Sequence, residues 1–173
     1  MEIQKEIKTK IERDYFFIEA NLVLDYEYFI NKINENINTE NNLNYKTNVK
    51  GKQTSWEFFN QDPQFLKTLF IIFDYLDRIK DMRNYHLGTA WGVREDYGDY
   101  SRIHDHLPCF LSGIIYLNKH SQKLCLPEIK EEVIPACGKL ILFSSFLKHY
   151  TPRNLTNDSK YAIAFNLNYN TIE

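Results

Sequence analysis

The spacing of apolar residues changes character near residue 85. Before it, the run YFFIEANLVL is dense in aromatic and branched side chains and predicts a strand over 15–24. Asp25 then offers an N-cap, and DYEYFINKINENI places Phe29, Ile30, Ile33 and Ile37 at helical spacing. The segment NTENNLN breaks that helix, and YKTNVKGKQTSW is a polar extended stretch with a turn at Gly51. A second helix is marked by Asp62 as its cap and by Pro63 at its first position, where the missing N–H costs nothing. Its apolar side is Phe65, Leu66, Leu69, Phe70, Ile72, Phe73 and Leu76, and DRIKDMRNY carries it out.

After Tyr85 the rhythm shortens. LGTAWGVREDY, SRIHDH, LSGIIYL, QKLCLPEI, EEVIP, GKLILFSS, LKHYTPRN and KYAIAFNLNY follow closely, with Gly, Pro and Asn between them. Short strands at this density predict an antiparallel barrel or jelly roll. Helices first and a β-roll second make an α+β fold, in which the helices brace one outer face of the barrel. With 173 residues and no linker, the chain reads as a single domain. Residues 1–85 form a helical support region with one or two strands, and residues 86–173 form the β core.

Composition narrows the function. Lys and Arg number 21 against 23 Asp and Glu, a net charge of −2, so no general phosphate-binding surface is indicated and nucleic acid is not an expected partner. Cys109, Cys125 and Cys137 form no CxxC pair, which argues against a disulfide framework and a thiolate zinc site. They read as small core residues. The N-terminal residues carry charges throughout, without the apolar stretch of a signal peptide. The densest apolar block, LFIIF, is too short to span a membrane. These features place the chain in the cytoplasm, or in the host cytoplasm for a phage protein.

The chemistry concentrates in SRIHDHLPCFLSGIIYL. On a strand, His104 and His106 share a face while Asp105 points the other way. Two imidazoles so placed can bind one cation, with a third ligand supplied by a neighbouring strand. His86, His120, His149 and the carboxylates are candidates, and His149 stands out because it leaves the strand GKLILFSS just before a proline turn. The same pair is also compatible with surface histidines, or with half-buried ones that have hydrogen-bond partners.

A wider pattern adds weight. It comprises Trp91, Gly98, His104-Asp105-His106, Ser112-Gly113-Ile114-Ile115-Tyr116, Pro135-Ala136-Cys137-Gly138, Phe143-Ser144-Ser145-Phe146-Leu147-Lys148-His149, and Lys160 opening KYAIAFN. In order and spacing this resembles the 2-oxoglutarate- and Fe(II)-dependent oxygenase superfamily, and within it a bacterial and phage branch with an H-x-H…H motif. The resemblance covers about half the chain and implies a double-stranded β-helix, a jelly-roll or cupin-like barrel. It implies Fe(II) and 2-oxoglutarate as cofactors, with O2 and an unidentified substrate, small molecule or peptide, as partners. His104, His106 and His149 would be the metal ligands. Lys160 and Tyr116 would hold the cosubstrate, and succinate and CO2 would form as the substrate is hydroxylated.

Two departures from the superfamily matter. His106 stands where a carboxylate is usual, and Asp105 would replace it only if a bulge broke the strand alternation. Lys160 stands where most relatives have arginine, and Ala162 where they have serine, so a point charge replaces a bidentate fork. Alternation puts Lys160 inward with Ala162 and Ala164, and a buried lysine wants an anion. On that ground Lys160 separates an oxygenase from a cupin-like three-histidine protein, either a binding module or a dioxygenase that does not use 2-oxoglutarate. A metal-free structural β-roll is the third class. Around the site, Trp91 reads as packing, Tyr116 as either a cosubstrate donor or a core aromatic, and Asn166 as a ligand-orienting or strand-ending amide. Arg153 reads as a solvated charge at the mouth.

Overall fold

A computed structural model describes residues 13–37, 48–79 and 84–170. The expected N-terminal features, the break NTENNLN and most of the run-out IKDMR lie outside those residues. Thirteen elements follow in chain order. They begin with β1 (Phe17–Asn21), α1 (Tyr26–Ile37), β2 (Val49–Lys50), β3 (Lys52–Gln53) and α2 (Pro63–Leu76). Then come β4 (Tyr85–Glu95), β5 (Tyr100–His104), β6 (Leu111–Tyr116), β7 (Leu124–Leu126) and β8 (Glu131–Val133). Last are β9 (Lys139–Ser144), β10 (His149–Thr151) and β11 (Lys160–Tyr169).

Both helix starts follow their caps. The Asp25 carboxylate accepts from the Tyr28 N–H at 3.0 Å, and the Asp62 carboxylate accepts from the N–H groups of Gln64 and Phe65, each at 3.0 Å. Helix α2 stops at Leu76, capped by Asp77, earlier than the predicted run-out. Its buried stripe is Phe65, Leu69, Ile72 and Leu76, whereas Leu66 and Phe70 face outward, because the apolar run is wider than the surface it covers.

The strands form two antiparallel sheets, ordered β1-β9-β6-β11-β4-β3 and β2-β5-β10-β7-β8. Strands from the first half thus extend the sheets of the second: β1 pairs with β9 and β3 with β4. The larger sheet has two buried faces. On one, Ile115, Leu140, Leu142, Ile163, Phe165 and Leu167 pack against Phe29, Ile33, Phe65, Leu69 and Ile72 of the helices. On the other, Tyr116, Ile141, Phe143 and Ala162 meet Leu124, Leu126 and Val133 of the smaller sheet. Each fully buried Ile, Leu or Phe contributes roughly 1.5–3 kcal/mol. This two-sided burial explains the near-continuous apolar run of β9.

Two motif glycines have physical reasons. A Cβ on Gly113 would lie 2.0 Å from the Phe165 ring, which crosses β6 at that point. Gly138 turns with φ +74° before β9, where a Cβ would lie 2.1 Å from the Leu22 carbonyl oxygen. Of the cysteines only Cys125 is buried; Cys137 is exposed in its turn, so it is not a core residue. Among the described residues no helix is long and apolar enough to cross a membrane.

Candidate metal centre

The three histidines come together by three different devices. His104 ends β5 and lies opposite His149, the first residue of β10. The next pair is Thr151 with Ser101, so two steps on β10 span three on β5. That bulge places His104 and Ser101 on one cavity wall, which strict alternation would forbid. His106 lies beyond β5, in a turn whose N–H donates to the Ser145 carbonyl at 2.9 Å and whose carbonyl accepts from Cys109 at 2.9 Å. The expectation that one continuous strand carries both histidines is therefore corrected. A bulge does exist, but it recruits His104. The Asp105 carboxylate is spent on the turn, accepting from the Leu107 N–H at 3.2 Å.

The imidazole ring centroids are 4.4 to 5.0 Å apart, and one ring nitrogen from each of His104, His106 and His149 lies within 4.8 Å of the others. The Nδ1 of His104 is 2.7 Å from the Arg102 carbonyl oxygen, and that of His149 is 3.0 Å from the Leu147 carbonyl oxygen. A carbonyl only accepts, so each Nδ1 carries a proton, and in the neutral tautomer that this selects Nε2 keeps the lone pair. Burial, then the neighbouring imidazoles, pushes His149 down to about 3 and His106 down to about 4. The His106 and His149 rings are thus held neutral, as metal ligation requires. The donor set fits a divalent transition ion. The other candidate histidines do not join it. His86 is exposed on β4, and His120 is tied to Thr156, Asp158 and the Gln122 N–H.

Two cavities open from the histidines. The inner one, about 70 Å³, lies between the sheets and is lined by Tyr116, Lys160, Ala162 and Ala164 among others. Tyr116 is 1% exposed, and its hydroxyl has no hydrogen-bond partner. Such an orphan costs about 1–3 kcal/mol unless a ligand meets it. Burial, then the charge of Glu95, pushes the Tyr116 phenol up, so it remains a donor. Lys160 points inward as alternation predicts, but it already has an anion. It forms a buried ion pair with Glu95, directly opposite on β4. Glu95 in turn accepts from the Thr151 hydroxyl at 2.9 Å. Burial lowers the Lys160 pKa, and Glu95 opposes that shift. The expectation that a buried Lys160 must await a diacid is therefore corrected. Sequence spacing does not reveal Glu95, because strand register makes it Lys160's neighbour, although WGVRE alternates Trp91, Val93 and Glu95 onto one face.

The outer cavity, about 320 Å³, is lined by Trp56, Trp91, His104, His106, Pro108 and Asn166 among others. Trp91 stacks on Trp56 at 5.9 Å, and its buried indole N–H has no hydrogen-bond partner in the protein. The Asn166 amide accepts from Ser112 and donates to Thr89. Arg153 is exposed, donates to the Gly98 carbonyl and lines neither cavity.

No family model matches the sequence, and no curated protein matches it. Solved structures do. The viral collagen prolyl hydroxylase of Paramecium Bursaria Chlorella virus-1, in complex with 2-oxoglutarate, aligns over 90% of this chain and 96% of its own, with 14% identity and a TM-score of 0.64. HygX of Streptomyces hygroscopicus, bound to nickel, 2-oxoglutarate and hygromycin B, aligns over 88% and 82%, with 13% identity and a TM-score of 0.65. A Pseudomonas putida prolyl-4-hydroxylase aligns over 90% and 93%, with 11% identity and a TM-score of 0.63. At these identities the likeness is one of architecture: the chain has the fold on which these 2-oxoglutarate- and Fe(II)-dependent oxygenases are built.

Proposed function

We propose that this chain is an Fe(II)- and 2-oxoglutarate-dependent oxygenase, most simply a hydroxylase, with its two sheets closed as a double-stranded β-helix. The observation that carries this is the three-imidazole cluster opening onto a cavity lined by an unpartnered Tyr116 hydroxyl and by Lys160. His104, His106 and His149 hold the metal, the first and last through Nε2. When bound, Fe(II) and 2-oxoglutarate supply the oxidising chemistry: O2 converts the 2-oxo acid to succinate and CO2, and one oxygen atom goes to a substrate C–H bond. Tyr116 donates its O–H to the cosubstrate, Ala162 and Ala164 leave it room, and the facing apolar side chains exclude water. The outer cavity receives the group to be oxidised against Trp91 and Trp56. The similar structures include prolyl hydroxylases and a protein bound to hygromycin B, which supports testing both a peptide and a small molecule as substrate at this site.

The Glu95–Lys160 pair favours a second reading, a cupin-like three-histidine metal protein, because a lysine with its own counter-ion does not require a diacid. One experiment separates the two. Aerobic Fe(II)-loaded protein with 2-oxoglutarate is expected to release succinate slowly even without substrate. No succinate from protein that binds one Fe(II) per chain would leave the cupin-like reading standing.

A further inference from the structure

The tail end of the inner cavity is electrically balanced. Lys160 and Glu95 are 2% and 3% exposed, and each contributes its side chain to the cavity wall. Glu95 is fixed from a second side by Thr151, whose hydroxyl and N–H also engage the Ser101 hydroxyl at 3.1 and 2.7 Å. The carboxylate is therefore built into the wall and is not a loose side chain that happens to reach the lysine. Tyr116 adds an unpartnered hydroxyl in the same cavity, close enough for the Glu95 charge to act on its phenol. The pocket thus presents one neutralised cation and one free neutral donor. A distal carboxylate entering here meets Lys160 already shared, and it meets Glu95 as a like charge at low dielectric. A distal group of the same shape without charge meets the same hydroxyl and no repulsion.

We infer that Glu95 is a specificity-determining residue: by neutralising Lys160 it reduces the preference of the cosubstrate pocket for an anionic tail over a neutral hydrogen-bonding tail. The inference rests on the proposed oxygenase reading. It is tested by binding to the whole Ni(II)-loaded chain, measured by calorimetry with 2-oxoglutarate and with its C5 amide, which is similar in size but lacks the tail charge.

A lysine without a counter-ion would favour the diacid by about a hundredfold, the worth of a charge-assisted contact. The wild-type chain is expected to favour it by less than about tenfold. Glu95→Gln is expected to raise that preference by about tenfold or more, chiefly through tighter binding of 2-oxoglutarate. A wild-type preference above tenfold, or a Glu95→Gln preference no greater than wild type, overturns the role of Glu95 and leaves the oxygenase reading intact. Failure of both ligands to bind either Ni(II)-loaded protein overturns the two together. The wild-type measurement needs no variant, so it decides the matter even if Glu95→Gln does not fold.

Discussion

The two faces of β11 make opposite use of the same strand. Ile163, Phe165 and Leu167 point to the helices and are fully buried in an apolar cluster. Lys160, Ala162 and Ala164 point between the sheets, and Asn166 lines the outer cavity. The polar atom on the helix-facing side, the Tyr161 hydroxyl, is satisfied by Asn34 of α1 at 3.0 Å, and the apolar residues there contribute in proportion to the area they hide. The inner side keeps a paired lysine, two methyl-sized side chains and, across on β6, a hydroxyl with no partner. Both faces are buried, so burial alone does not distinguish core from site. Unsatisfied or specially paired polar atoms do.

Three substitutions sharpen that contrast. The largest effect is expected at His149. Changing it to Ala removes one of the three clustered imidazoles, so stoichiometric Fe(II) binding should disappear in a metal titration while unfolding stays cooperative. Retained one-to-one binding would show that His104 and His106 recruit a different third ligand. On the helix-facing side, Ile163→Ala should cost about 2–5 kcal/mol in denaturant unfolding, since the cavity it leaves faces a close-packed cluster. Its folded fraction should bind Fe(II) as wild type does. A matching loss of metal affinity would mean that the two faces are coupled.

The smallest effect is the most discriminating. Tyr116→Phe deletes a hydroxyl that bonds nothing in the protein, so stability should change by no more than about 0.5 kcal/mol, or rise. Affinity for 2-oxoglutarate should fall about tenfold, the worth of one hydrogen bond. Unchanged affinity in a calorimetric titration would return Tyr116 to the role of an ordinary core aromatic.

Much of the fold is legible in the sequence. Caps at Asp25 and Asp62, apolar spacing in the helices and the short strand rhythm after Tyr85 are local signals, and local energetics decide them. Period-two alternation also places Lys160, Ala162 and Ala164 on one wall, because that geometry needs no knowledge of neighbours. His104, His106 and His149 are readable as a set through their motif. A shared strand face, the reason that spacing suggests, is not what the fold uses. A bulge turns His104, a turn bonded to Ser145 holds His106, and the start of β10 supplies His149. Glu95 is the sharper case. Sixty-five residues separate it from Lys160 in the chain, and only the pairing of β4 with β11 sets the two side by side. Sequence by itself determined where most helices and strands form and which face the side chains of a regular strand such as β11 take, because those follow from the backbone's own periodicities. Which charge meets which, and which hydroxyl is left without a partner, was decided by register between strands far apart in the chain, and register is a property of the assembled sheets.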